Sequence, residues 1–457
     1  MSDYQVTNPA TGEVEATYPT ATEQDIQQTI EQAESAYQDW RQVALSERSA
    51  ILHKIADIYL ERKDELARIM TAEMGKPVAE GKGEIGLVAE IFRYYADNAE
   101  QLLAPDKIDV DSGSASVHKL PVGVLLGIMP WNYPHYQVAR FVAPNFMAGN
   151  TIILKHAPQC PKTAEIIVEL FQAAGLPDGV YNNIFATNEQ SATIINDARV
   201  QGVSLTGSER AGQAVAKVAG DALKKVVLEL GGSDAFIVTE DADIDLAIKG
   251  AISGRFGNTG QACNAAKRLI IVESVYDKFV AGFTDAVRSM TLADPLDENT
   301  RIGPMSSTAA AQGLQQQLDS AIQAGATVLV EGGRLKDKPG AWFAPAVLAD
   351  VDDSMDVYRE ELFGPVAVVY KARDVDHAVK IANDVPYGLG ASIQTQSAEL
   401  ATEIANKLEV GMVTINAPSG SEANTPFGGV KCSGFGRELG TLGITEFLNH
   451  KLIRDMS

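Results

Sequence analysis

Cysteine is scarce in this chain: Cys160, Cys263 and Cys432 are the only three in 457 residues. An odd set with no Cys-x-x-Cys spacing speaks against a disulfide framework and against a cysteine-ligated zinc site. Histidine is nearly as sparse, six residues with none at metal-ligand spacing. Basic residues are outnumbered, 38 Lys and Arg against 60 Asp and Glu, and the net charge of −22 argues against nucleic acid or an anionic membrane as partner. No apolar run reaches the ~18 residues that a membrane span requires. The opening MSDYQVTNPATGE lacks the basic and apolar regions of a secretory signal. The expectation is a reduced, cytoplasmic compartment, with the acidity serving solubility or a saline habitat.

The length exceeds what one hydrophobic core usually serves, so two or three compact units are expected. Helical spacing dominates the first hundred residues, in segments opened by Thr22, Ser46, Asp64 and Glu84, the third stopped by Gly75, Lys76 and Pro77. Residues 106–120, with a Ser-Gly-Ser tip, read as a protruding hairpin. From Gly123 the rhythm changes. GVLLGIMP, TIILKHA, NNIFA, VSLTG and KVVLELGG are short continuous apolar runs between helical segments. Strands apolar on both faces belong to a parallel sheet covered by helices, so residues 123–232 predict a doubly wound, Rossmann-like α/β unit. A second α/β unit follows, with DAFIVTE, RLIIVES, TVLVEGG, PVAVVYKA and GMVTINA as its strands.

Doubly wound sheets bind ligands beyond the carboxyl ends of their strands, and unusual residues gather there. In RFGNTGQACNAAKR, Cys263 stands among small residues with Lys267 and Arg268 close behind, a setting expected to be open and biased toward thiolate. The plainer alternative is an inert buried thiol. Asn132, between two prolines in MPWNYP, can donate to an oxyanion, or can be a turn residue only. Glu229, inside the apolar LELGGSD, suits a general base, or a carboxylate bonded to backbone amides. TGSERAG turns from strand to helix and sets Gly207 and Ser208 where a phosphate can sit. Lys155 ends a strand within reach of a ribose or phosphate, or is a solvated charge. Arg140, about two helical turns after Asn132, can take a substrate carboxylate, or is an exposed helix arginine.

Together PWNYP, LKHAP, LTGSERAG, LELGGSD, NTGQAC, EELFGPV and PFGGVKCSGFGRELG occur in the order and at about the spacing of the NAD(P)-dependent aldehyde dehydrogenases. The chain resembles that family along its whole length, and KHAP with Arg140 looks most like its bacterial succinate-semialdehyde dehydrogenase branch. The resemblance implies an α/β fold with a Rossmann-like cofactor-binding domain from residues 1–105 and 121–231. It also implies a catalytic domain from 232–431, and a bridging oligomerisation unit from 106–120 and 432–457. Cys263 matches the nucleophile, Glu229 the base for the hydrolytic water, and Asn132 the oxyanion donor. Lys155 matches the adenosine-ribose contact and Ser208, beside Gly207, the pyrophosphate contact. Trp131 and Leu230 fall in the cofactor cleft, and Glu361 and Phe363 match the nicotinamide-ribose clamp.

The departures bear on specificity. NAD-preferring relatives often carry a glutamate where this chain has Pro158, so a 2′-phosphate is not repelled and NADP is admitted beside NAD. Phe141 replaces a common lysine and leaves Arg140 as the principal cation near the thiol. The expectation is a homodimeric or homotetrameric NAD(P)-dependent oxidoreductase acting on a small ω-carboxylated aldehyde, succinate semialdehyde, as its small-molecule partner. Oxidation of another small aldehyde, or a nucleotide-independent thiol esterase using Cys263, Asn132 and Glu229, stands as the alternative.

Overall fold

The computed structural model describes residues 4–457. The expected helices are Glu23–Trp40, Leu45–Glu61, Lys63–Met74 and Val78–Leu102. Thr22 opens the first through a capping box, its hydroxyl accepting from Asp25 N at 3.2 Å while the Asp25 carboxylate accepts from Thr22 N at 2.8 Å. The fourth begins at Val78 rather than Glu84, because Pro77 pre-sets the chain for helix entry. A short antiparallel pair, Tyr4–Thr7 with Val14–Tyr18, precedes them and was not expected from the sequence. Among the described residues no helix is long and apolar enough to cross a membrane.

The first α/β unit holds a six-stranded sheet ordered Gly434–Phe435, Lys225–Glu229, Val200–Thr206, Val124–Met129, Thr151–His156, Tyr181–Asn183. The last five are parallel. From Val124–Met129 the chain winds outward to Tyr181–Asn183, then returns to the other side through Val200–Thr206. The gap between those two central strands is therefore the topological switch point, where a crevice opens above the carboxyl ends. Their residues are almost wholly buried because helices cover both faces.

The second unit is a seven-stranded sheet ordered Thr327–Val330, Ala346–Ala349, Val366–Ala372, Arg268–Val272, Ala235–Val238, Gly390–Gln394, Met412–Ile415, antiparallel only at its first pair. Ala346–Ala349 and Gly390–Gln394 escaped the sequence reading, since small residues there carry little β signature.

The hairpin expected at 106–120 is present as Asp106–Ile108 with Ser114–Pro121. Its third strand is Leu448–Asp455, in register from Leu448 opposite Pro121 to Asp455 opposite Ser114. The expected boundary at 432 needs correction. Gly434 and Phe435 pair with Glu229 and Leu228 in the six-stranded sheet. Asn150 Nδ2 donates to Phe447 O at 2.9 Å. The segment up to about 447 thus belongs to the first unit, and only Leu448–Asp455 joins the hairpin.

Candidate active site

Cys263 sits on a loop before the amino end of Arg268–Val272, and the loop is held from several sides. Asn258 and Thr259 adopt left-handed backbone, φ 52° and 54°, tolerated by asparagine and strained for a β-branched residue. The surroundings over-determine that conformation. Asn258 N donates to Glu80 Oε2 at 2.5 Å, Asn258 Nδ2 to Asn132 O at 2.9 Å, and Gly303 N to Thr259 Oγ1 at 3.2 Å. The buried Arg255 guanidinium donates to the carbonyls of Val366 (2.8 Å), Gly260 (3.3 Å), Leu362 (2.9 Å) and Gly364. It thereby fastens the cysteine loop to the segment that carries Glu361 and Phe363.

Asn132 Nδ2 donates to Gln261 O at 3.1 Å, two residues before Cys263, which leaves its second amide proton for another acceptor. Glu229, ending Lys225–Glu229, is buried with neither carboxylate oxygen hydrogen-bonded, so it is not the amide-bonded carboxylate of the plainer reading. Burial holds its pKa well above the usual carboxylate range; Arg140 draws it back and Glu438 raises it further. Cys263 keeps part of its surface open. Its thiol is nevertheless pushed up to about 12 by desolvation, against the opposing pull of Arg140 and Lys267. The expected bias toward thiolate is therefore corrected: at rest the group is a thiol.

Cys263 and Asn264 open into a cavity of about 210 Å³ walled by Tyr136, Gln137, Ser419, Ser421 and Phe427, among others. Tyr136 OH donates to Ser421 Oγ at 2.9 Å. Arg140 does not line this cavity. It is fully buried, ion-paired with Glu438, and donates to Thr206 Oγ1 at 3.0 Å. Despite desolvation, Glu438 holds its pKa above the ordinary value. The expected free carboxylate clamp is thus corrected: Glu438 already occupies that role. The guanidinium stands behind two cavity walls, 5.2 Å from the Tyr136 ring centroid and 4.6 Å from that of Phe427.

A second opening lies at the switch point. Ile128 and Leu205, from the two central strands, floor an apolar cleft of about 410 Å³ between helices Asn188–Asn196 and Glu209–Asp221. Lys155 is buried beside it, in register with Ile128, and Pro158 is exposed three residues on. Ser208 caps the second helix, its hydroxyl accepting from Ala211 N at 3.4 Å, and Gly207 N donates to Glu229 O at 3.0 Å. Leu230 packs with Leu205 and Leu228 beneath that helix. Trp131 and Phe363, distant in sequence, meet edge to face at 5.7 Å. Glu361 Oε1 accepts from Gly232 N at 3.2 Å and pairs with Lys267 Nζ at 3.0 Å.

A cysteine on a fixed loop, an amide donor beside it and an unpartnered carboxylate, next to a switch-point cleft, make an arrangement suited to carbonyl chemistry with a bound nucleotide. The family model of the aldehyde dehydrogenase family matches residues 1–453. This chain belongs to the aldehyde dehydrogenase family. Among its relatives, the succinate-semialdehyde dehydrogenase [NADP(+)] of Deinococcus radiodurans is 50% identical over 451 residues, 99% of this chain and 94% of that one. The succinate semialdehyde dehydrogenase [NAD(P)+] Sad of Escherichia coli is 42% identical, over 97% of this chain and 96% of its own. A crystal structure of succinic semialdehyde dehydrogenase from Streptococcus pyogenes with NADP+ superposes with TM-score 0.97 at 41% identity, covering 99% of this chain and 100% of that one.

Within this aldehyde dehydrogenase the supports are hardly legible in the sequence: Arg255, Asn258 and Thr259 under the nucleophile, and Tyr136 and Ser421 in the cavity. A signal for Arg255 existed, an arginine closing an apolar helix. None existed for Ser421, a loop serine with no periodic neighbours.

Proposed function

We propose that the protein is a succinate-semialdehyde dehydrogenase that uses NADP and forms a thioester on Cys263. The observation that carries this reading is a single cysteine opening into a small hydroxyl-lined cavity while its loop is fastened through Lys267 to Glu361, which lies against Gly231 and Gly232 just past the strand that carries Glu229. Cys263 gives up its thiol proton to solvent through its open side, and the thiolate sulfur so formed attacks the aldehyde carbon. The free amide proton of Asn132 and the Cys263 main-chain amide are the donors for the oxyanion, and Glu229 takes a proton from the water that releases the acid. A bound nicotinamide nucleotide supplies a hydride acceptor. The residues fit such a group: apolar cleft walls for a purine, Lys155 for ribose or phosphate oxygens, Gly207 and Ser208 for the pyrophosphate, and Leu230, Trp131, Glu361 and Phe363 for the nicotinamide half.

The absence of a carboxylate at Pro158 and the NADP(+) in the name of the Deinococcus relative support NADP over NAD. For the far carboxylate of the substrate, the cavity offers the Ser421 hydroxyl, whose own proton is left over by the bond it accepts from Tyr136, beside Ser419 and Gln137, with Arg140 acting from behind Tyr136. Steady-state kinetics with both nucleotides, on straight-chain aldehydes with and without a terminal carboxylate, tests this. The highest kcat/KM is expected for succinate semialdehyde with NADP. Preference for uncharged aldehydes sinks the substrate assignment, and absence of nucleotide reduction sinks the reaction. Cys263→Ala abolishes turnover, and Glu229→Gln retains a burst of reduced cofactor but stalls before acid release. Ser421→Ala raises KM for succinate semialdehyde and spares an uncharged aldehyde of equal length. Arg140→Ala harms both, because it strands Glu438 as an unpaired buried charge. A homo-oligomer, dimer or tetramer, is part of the same proposal.

A further inference from the structure

Glu361 and the cysteine loop come from separate stretches of the second unit, and one side chain joins them directly. Lys267 is 1% exposed, and its ammonium meets Ala262 O at 2.8 Å, Cys263 O at 2.6 Å and Glu361 Oε1 at 3.0 Å. An ammonium has three protons, so each has a partner, one of them the carbonyl of the nucleophile itself. Gly232 N adds a second donor to the same Glu361 oxygen at 3.2 Å. The other oxygen, Oε2, lies over Gly231, where a Cβ would come within 2.6 Å of it and displace it. One carboxylate oxygen is anchored and the other is presented.

We propose that Lys267 is a positioning residue that makes the cofactor grip and the nucleophile one rigid unit. It holds Glu361 with Oε2 facing outward for a ribose hydroxyl, and through the Cys263 carbonyl it fixes the direction of the sulfur. The inference rests on the reading above, that a nicotinamide nucleotide is taken by Glu361. Linkage is reciprocal: what the nucleotide does to Glu361 is felt at Cys263, and Lys267 carries the effect. The charges that face Cys263 are Arg140 and Lys267, which favour thiolate, and Glu361 and Asp234, which oppose it. The phenols of Tyr133 and Tyr136 stand nearby.

The test measures alkylation of Cys263 by iodoacetamide from about pH 7 to 10, read by peptide mass spectrometry, with and without NADP. The proteins are wild type, Lys267→Met, Glu361→Gln and the double variant. NADP affinity is measured in parallel by fluorescence quenching. In Lys267→Met, NADP binding weakens about tenfold and the alkylation profile moves to higher pH, since a cation that favours thiolate is gone. In wild type, NADP changes the alkylation rate; in either single variant that response is lost, and the double variant binds NADP no more weakly than the weaker single one. Wild-type affinity and profile in Lys267→Met, or penalties that add in the double variant, overturn the proposal. Should Lys267→Met fail to fold, Glu361→Gln decides: an undiminished NADP response there overturns it equally. Wild type that binds no NADP overturns the functional reading and this inference with it, whereas NADP binding indifferent to Lys267 overturns the inference alone.

Discussion

At Cys263 desolvation and nearby cations oppose each other, and desolvation prevails, setting the thiol at about 12. Only the thiolate is a nucleophile, so at pH 7 the cofactor-free enzyme holds Cys263 predominantly in its unreactive thiol form. The direction follows: a raised pKa means reactivity gained as pH rises. Iodoacetamide should therefore label Cys263 about tenfold faster per pH unit between about pH 7 and 11, and a plateau below about pH 9 would contradict the burial argument. The sequence made the nucleophile legible, through a cysteine among small residues, but misjudged its charge state. Of the two cations it credits to the sulfur, Lys267 does favour the thiolate but too weakly to offset burial, whereas Arg268 is turned to other partners. In the fold Lys267 bonds carbonyls and Glu361, and the Arg268 guanidinium donates to the carbonyls of Ser233, Ile381 and Ala382. Direction of a side chain is a tertiary property, and composition does not carry it.

At the level of elements, continuous apolar runs announced most of the parallel strands, because burial on both faces leaves a local mark. Gly434–Phe435 left none. It is two residues long, and its partner Leu228–Glu229 lies far back in the chain. Yet this short strand closes the sheet edge from which Glu229 projects. Gly434 has φ 112°, and a Cβ there would overlap the Leu228 carbonyl. Gly434→Ala should cost about 2 kcal/mol or more, lowering Tm, and should slow acid release more than the burst of reduced cofactor, since Glu229 loses its support before Cys263 does. Equal loss of both phases would mean that the strand only stabilises the sheet. The left-handed turn at Asn258–Thr259 was equally hidden, for although asparagine tolerates positive φ, the β-branched Thr259 beside it argues against such a turn.

For the whole molecule the open question is what covers the ends of its sheets. Among the described residues Leu448–Asp455 is paired on one side only, with Ser114–Pro121, and all but its first residue are exposed, Leu452 at 59% and Ile453 at 46%. An eight-residue edge with unpaired backbone groups and apolar side chains on both faces invites another strand. Met412–Ile415, the last strand of the seven-stranded sheet, offers such an edge, with Ile415 46% exposed. Charge agrees with self-association: Lys451 and Arg454 put cations on a strand of a chain whose net charge is −22. If Leu448–Asp455 of one copy extends the seven-stranded sheet of another, Leu452→Glu with Ile453→Glu should yield a folded monomer by sedimentation velocity. Its circular dichroism should match wild type, because the two side chains are exposed within a single chain. Wild type should sediment as a dimer or tetramer, and high salt should weaken the assembly only modestly, since backbone pairing and apolar contact do not depend on screened charge. A double variant that keeps the wild-type mass would place the subunit contact elsewhere on the surface, and the exposed strand would then need another partner.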